Sequence, residues 1–309
     1  MSIAIICPNR DVSDWVTALH AHDPTLTVEV WPGISKPGEV EFVLTWNHPA
    51  GLLRQFPKLK CISSLGAGVN HLLNDSTCPP GIPLVRLVDI DLMQSMAEYV
   101  LHGVLEHVRR FDDYRHQQAL GQWALQNGPH LAEVGIGVMG CGALGSYVAG
   151  KLADFGFSVS AWSRTPKQGA RMPVFSGEAG LGDFLKQADI LVCLLPLTAE
   201  TENILNMQTF SQLPPKAFLI NVARGAHLVD ADLLAALDAG QLSGALLDVF
   251  REEPLPREHP FWAHPKIRLT PHVASVTNPH SAALQIVENY HRAITGRQLT
   301  NLVDRQRGY

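Results

Sequence analysis

Three side chains spread over the second half of the sequence could together reduce a ketone. Arg224 stands in Asn221-Val222-Ala223-Arg224-Gly225, Glu253 in Asp248-Val249-Phe250-Arg251-Glu252-Glu253-Pro254, and His272 in Leu269-Thr270-Pro271-His272-Val273-Ala274. Reduction of a 2-oxo acid needs a hydride donor, a proton donor beside the ketone and a cation for the carboxylate. An imidazolium can give its proton to the developing alkoxide, because its ordinary pKa of about 6.5 lies near working pH. A carboxylate on the other ring nitrogen would fix the tautomer and favour the charged form. A guanidinium can hold a carboxylate in a fork and polarise the ketone. Taken singly, His272 reads as a turn or core residue, Glu253 as a surface acid and Arg224 as a cation at a strand end. Each follows an apolar run that reads as a strand, and open α/β sheets bind ligands at the carboxyl ends of their strands.

The hydride donor has its own signature upstream. Val134–Met139 reads as a strand, Gly140-Cys141-Gly142-Ala143-Leu144-Gly145 as a glycine-rich turn, the run to Phe155 as a helix and Ser158–Arg164 as a second strand. This βαβ unit is the arrangement that binds a dinucleotide. Gly140 permits the tight turn, Gly142 lets backbone approach a pyrophosphate, and Gly145 lets the helix pack on the strand. Ala143 and Leu144 offer N–H groups at the positive end of the helix. The second strand ends in Ser163-Arg164-Thr165-Pro166-Lys167, where an NAD site carries Asp or Glu for the ribose hydroxyls. With no carboxylate present to repel it, a 2′-phosphate could be gripped by Arg164, with Lys167 adding charge, so the expected cofactor is NADP(H).

The remaining elements supply the scaffold. Ile3–Cys7, Thr27–Trp31, Phe42–Thr45, Lys60–Ser63 and Leu84–Val88 read as strands, with helices over Val12–His20, Gly51–Phe56 and Val69–Leu73. Leu92 to Leu120 reads as one or two long helices, and Gly121–Pro129 as a loop. Beyond Arg164, strands are expected at Ile190–Leu194, Ala217–Asn221, Gly244–Val249 and Ile267–Thr270. Helices are expected near Leu181–Gln187, Thr201–Leu213, Ala231–Ala239 and Ser281–Thr295. Strand–helix alternation predicts parallel sheets covered on both faces, with about six strands in the nucleotide domain.

At 309 residues the chain suits two domains. A hydrophobic content of 46% with 17% charged residues is ordinary globular composition. The formal net charge of -5 and the lack of basic runs argue against nucleic acid. No apolar run reaches the roughly 18 to 20 residues that span a bilayer, and the N-terminus reads as a core strand rather than a leader. Five scattered cysteines without a CxxC pair and fourteen histidines without metal-ligand spacing predict a reduced, cytoplasmic, metal-free protein.

Gly140-x-Gly142-x-x-Gly145, Leu195-Pro196-Leu197-Thr198, Asn221-x-Ala223-Arg224-Gly225, Asp248-Val249-Phe250-x-x-Glu253-Pro254 and Pro271-His272, in this order, resemble the D-isomer-specific 2-hydroxyacid dehydrogenase family. Trp162-Ser163-Arg164-Thr165, the segment Arg109–Arg115 and the terminal Arg305–Tyr309 are similar to its bacterial branch that reduces glyoxylate and hydroxypyruvate. The resemblance covers nearly the whole chain. It implies two doubly wound parallel-sheet domains, a flavodoxin-like substrate domain (1–98 and 285–309) and a Rossmann NADP domain (99–284), with the active site in the cleft between them. It implies Arg224, Glu253 and His272 as the catalytic triad, and cofactor contacts from Ser163, Thr165, Leu195, Pro196, Thr201, Val222 and Ala223 besides the residues above. Asp248 would bind the nicotinamide carboxamide.

On the substrate side, Leu65-Gly66-Ala67-Gly68-Val69-Asn70 resembles the family loop whose backbone N–H groups hold the substrate carboxylate, here from Ala67 and Gly68. Asn70 departs from the commoner Asp, and a plain βα turn also fits. Trp46 resembles a reductase tryptophan that limits substrate size; a structural aromatic fits equally. The implied reaction is reduction of glyoxylate to glycolate and of hydroxypyruvate to D-glycerate by a C₂ dimer built on Glu98–Tyr114. Competing readings are another 2-hydroxyacid dehydrogenase or a corepressor-like nucleotide-binding protein. Phosphoglycerate dehydrogenase would carry a regulatory domain, and a formate dehydrogenase would carry Gln at the place of Glu253.

Overall fold

The computed structural model describes residues 2–8 and 10–309. The chain divides into two compact units, Met1–Leu92 with Val276–Tyr309, and Met93–Ser275. In the first, the strands are β1 (Ser2–Ile6), β2 (Val28–Val30), β3 (Val40–Thr45), β4 (Cys61–Ser64) and β5 (Leu84–Val85). They form a parallel sheet in the order β2-β1-β3-β4-β5, the flavodoxin-like order. β1 shows why it forms. Ile3 and Ile5 join a core with α1 (Ser13–His22) and with the C-terminal helix Pro279–Thr295, while Ala4 and Ile6 join the opposite core with Leu53, Phe56 and Leu72. A strand covered on both faces reads as one uninterrupted apolar run. The expected helix at Gly51–Phe56 is instead a 3₁₀ turn over Leu52–Gln55, entered through the left-handed Gly51. The helix after β4 is a single short one, α2 (Asn70–Leu73).

The second unit begins within α3 (Ile90–Val108), which a left-handed Arg110 separates from α4 (Phe111–Ala119). Its strands are β6 (Gly135–Met139), β7 (Ser158–Ser163), β8 (Val174–Ser176), β9 (Ile190–Cys193), β10 (Ala217–Asn221), β11 (Leu242–Leu247) and β12 (Ile267–Leu269). All pair in parallel in the order β12-β11-β10-β9-β6-β7-β8. This is a Rossmann sheet with one strand more than the six expected. Sequence reading passed over β8.

The helices of this unit are α5 (Ala143–Phe155), α6 (Gly177–Leu185), α7 (Met207–Phe210) and α8 (Asp230–Asp238); the C-terminal helix of the first unit is α9 (Pro279–Thr295). α3 and α5 cover one sheet face through Val100, Val104, Val148 and Leu152, and α6 and α8 cover the other through Phe184, Leu185, Leu233 and Leu237. The long helix expected over Thr201–Leu213 is corrected to α7 alone, because Asn206 caps a new helix by accepting the Thr209 N–H. No helix among the described residues is long and apolar enough to cross a membrane. The strand order reverses between β6 and β9, which marks the ligand-binding crevice of such a sheet.

Candidate active site

Arg224, Glu253 and His272 all emerge in the second unit just past the carboxyl ends of strands, from β10, β11 and β12. The buried Asn221 shapes the first of these turns: its amide donates to the Arg224 carbonyl and its oxygen accepts the Ala223 N–H. Gly225 then presses onto the next loop, for a Cβ there would lie 1.8 Å from the Phe250 carbonyl carbon. Only glycine permits that approach, and it brings the Arg224 segment against the loop that carries Glu253. Burial lowers the Arg224 pKa, and the Glu253 charge opposes that shift.

Glu253 faces two ways. Its Oε1 accepts the Phe250 N–H at 2.9 Å, and its Oε2 accepts from His272 Nδ1 at 2.7 Å. Burial pushes the Glu253 carboxyl up, yet these two hydrogen bonds and the charges of His272 and Arg224 outweigh it and hold the pKa below its ordinary value. With Nδ1 committed to a carboxylate, Nε2 is the nitrogen left to transfer a proton. His272 itself has a left-handed backbone, with φ of 55°.

The residue that holds this conformation is Asp248. Its carbonyl accepts the His272 N–H, and its almost fully buried carboxylate accepts from Thr270 Oγ1, Val273 N and Ala274 N. Tyr99 from α3 adds a hydroxyl contact to Thr270. Asp248 was expected at the nicotinamide; three bonds to the His272 segment still leave its carboxylate some acceptor capacity. Tyr99 and Thr270 gave no sequence signal, since their partners lie far away in the chain.

The glycine-rich turn has the form the sequence implied. Gly140 has φ of 114°, and a Cβ on Gly145 would lie 1.8 Å from the Gly140 carbonyl oxygen, so both positions require glycine. Gly142 is different: a Cβ there would meet no protein atom within 4 Å, so packing within the chain does not demand glycine. Gly142 also caps α5 without any side-chain acceptor, which leaves the first-turn N–H groups of Ala143, Leu144 and Gly145 for an outside anion. These features fit a pyrophosphate.

Leu195 and Pro196 lie across the switch point, with Leu194 N bonded to the Met139 carbonyl. Thr201 serves their loop directly: its hydroxyl donates to the Pro196 carbonyl at 2.7 Å and accepts the Thr198 N–H at 2.9 Å. His227, fully buried, reaches the carbonyls of both Pro196 and Arg224, and burial drives its pKa down to about 4. It was missed because a lone buried histidine has no motif. Val222 and Ala223 are buried at the end of β10.

At the end of β7 the buried Ser163 donates its hydroxyl to the Thr165 carbonyl, folding a turn that exposes Arg164, Thr165 and Lys167. The expectation that no carboxylate stands here needs correction. Glu200, distant in sequence, places Oε2 2.7 Å from Arg164 Nη1. Arg164 still fits a 2′-phosphate, in competition with that pair.

In the first unit, Ser64 shapes the loop after β4 by accepting the Gly66 N–H and donating to the Gly68 carbonyl. No hydrogen-bond acceptor for the Ala67 and Gly68 N–H groups occurs among the described residues. Trp46 lies beside this loop, its Cζ3 3.2 Å from where a Gly66 Cβ would stand. All five cysteines are free thiols, and burial raises those of Cys61 and Cys193 to about 12. Among the described residues no three His, Cys, Asp or Glu side chains are grouped to hold a metal.

Residues 101–274 match the family model described as D-isomer specific 2-hydroxyacid dehydrogenase, NAD binding domain. A glyoxylate/hydroxypyruvate reductase A from Yersinia enterocolitica is 43% identical, the alignment covering 100% of both chains. A D-isomer specific 2-hydroxyacid dehydrogenase from Xanthobacter autotrophicus Py2, solved with NADPH and MES, is 40% identical. It has a TM-score of 0.96 over 100% of this chain and 99% of that one. An NADPH-dependent glyoxylate/hydroxypyruvate reductase from Sinorhizobium meliloti, solved with NADP and sulfate, is 34% identical, with a TM-score of 0.94 over 100% of each chain. The chain therefore belongs to the D-isomer specific 2-hydroxyacid dehydrogenase family.

Proposed function

We propose that the protein is an NADPH-dependent reductase of small 2-oxo acids, converting glyoxylate to glycolate and hydroxypyruvate to D-glycerate. The observation that carries this reading is the 2.7 Å contact from His272 Nδ1 to Glu253 Oε2, which leaves the second ring nitrogen for the substrate. Relatives similar over their full length carry these substrates and this cofactor in their names. NADPH, when bound, supplies the hydride.

The unit Met93–Ser275 would serve as the cofactor domain and the remainder as the substrate domain. Arg224 binds the substrate carboxylate and polarises the ketone; Ala67 and Gly68 add N–H donors, and Trp46 limits the side chain. His272 Nε2 gives the proton to the alkoxide while Glu253 stabilises the imidazolium. The first turn of α5 holds the pyrophosphate, and Arg164 with Lys167 holds the 2′-phosphate.

We further propose a cytoplasmic homodimer built on Glu98–Tyr114 and the segment that follows. Phe111, Trp123 and Leu125 support it, being 51%, 103% and 88% exposed in a single chain. NADPH oxidation measured side by side with glyoxylate, hydroxypyruvate and pyruvate tests the activity. Turnover of the first two is expected. Preference for pyruvate would move the protein to another branch of the family, and no turnover with any would favour a nucleotide-binding protein without catalysis.

A further inference from the structure

β3 delivers Trp46 and the chain then turns sharply, with Asn47 in the left-handed region at φ of 52°. The turn drives His48 inward, and its side chain is 1% exposed. His48 Nε2 donates to Asp75 Oδ2 at 2.9 Å, and the Asp75 side chain is itself only 8% exposed. The other oxygen of Asp75 accepts both the N–H and the hydroxyl of Thr77, and the Thr77 hydroxyl oxygen accepts the Gly51 N–H at 2.6 Å. A closed circuit therefore clamps residues 48–51, which follow the tryptophan in the chain, to residues 75–77.

His48 Nδ1 is buried and has no hydrogen-bond partner among the described residues, so the bond to Asp75 is the one hydrogen bond that orients the ring. Trp46 lies against Gly66 and against the His71 ring, 4.6 Å away between centroids. The His71 ring in turn meets that of His48 edge-on at 6.4 Å. A nearly dry histidine–carboxylate pair stabilises less than well-packed apolar residues would, and what it supplies is a single geometry.

We propose that His48 and Asp75 are a positioning pair for Trp46, and that discrimination against bulky 2-oxo acids depends on them. This rests on the reading of Trp46 as a substrate contact. A loop free to shift would let the indole withdraw, and a larger side chain would then be admitted.

The test compares kcat/KM for glyoxylate with that for phenylpyruvate, with NADPH, in the wild type, His48→Phe, His48→Gln and Trp46→Ala. In His48→Phe the glyoxylate preference is expected to fall about tenfold, the size of effect that one misfitted group has in a binding pocket. His48→Gln keeps an N–H within reach of Asp75 and should restore most of the preference, with the NADPH KM unchanged throughout. A wild-type preference in His48→Phe, alongside a lowered one in Trp46→Ala, would overturn the positioning role and leave the Trp46 contact standing. An unchanged preference in Trp46→Ala would remove that contact, and absence of glyoxylate turnover in the wild type would remove the reductase reading, each a separate result. If His48→Phe does not accumulate as folded protein, Asp75→Asn supplies the same comparison, because it removes the charge that orients the ring with little change in shape.

Discussion

Asp248 builds the backbone on which His272 stands: its carbonyl oxygen accepts the His272 N–H at 2.8 Å, and its carboxylate accepts the next two N–H groups, from Val273 at 2.8 Å and Ala274 at 2.9 Å. A left-handed histidine costs on the order of 1 kcal/mol relative to ordinary backbone, and hydrogen bonds to a buried charge offset that cost. His272 is thus fixed through its main chain by one residue and through its ring by another, Glu253.

Asp248→Asn separates these supports. An amide has one accepting oxygen where the carboxylate has two, so at least one of the Val273, Ala274 and Thr270 donors loses its partner. Leaving a buried donor unsatisfied costs about 1–3 kcal/mol, and the melting temperature should fall accordingly. Steady-state kinetics should show kcat lowered about tenfold or more, since misplacement of about 1 Å is costly in rate. A change confined to the NADPH KM would mean that Asp248 serves the cofactor alone.

Glu253→Gln should lower the rate and move the pH dependence of stability. Folding lowers the Glu253 pKa, so the ionised carboxyl stabilises the native state above the ordinary carboxylate range, and that contribution is lost as pH falls through the lowered value. The variant should therefore melt below the wild type at pH 7, with the gap closing below about pH 4. Its kcat/KM should drop about 10- to 100-fold, because the imidazolium has lost its counter-charge. Melting curves and rates over the same buffers check both.

Arg164→Asp should raise the NADPH KM far more than the NADH KM, by about 10- to 100-fold, the range of a charge-assisted phosphate contact. Equal changes for the two cofactors would remove the 2′-phosphate assignment. Glu200→Gln should act in the opposite direction, lowering the NADPH KM a few-fold by releasing Arg164 from its 2.7 Å pair.

The sequence was most informative where chemistry demands a residue type at a fixed local spacing. Gly140 and Gly145 were readable because no side chain fits there, and the two-face burial of β1 made Ile3–Ile6 readable as a strand. Arg224, Glu253 and His272 could be named, and the structure brings His272 and Glu253 together. What escaped was pairing between distant segments. The Arg164–Glu200 pair, the Tyr99–Thr270 contact and the His48–Asp75 clamp join residues 36, 171 and 27 positions apart, and no local pattern announces such partners. The helix expected at Thr201–Leu213 failed for a local reason, since the Thr201 hydroxyl and the Asn206 cap compete with helix continuation.

The most direct measurement is single-turnover reduction of glyoxylate by NADPH in the wild type and in His272→Gln, with NADPH affinity determined on the same samples. The expected result is a loss of about 100- to 10,000-fold in the chemical step with cofactor affinity unchanged, as for removal of a general acid. Retention of the wild-type rate in His272→Gln would show that the proton comes from elsewhere and would contradict the assignment of the His272–Glu253 pair to catalysis.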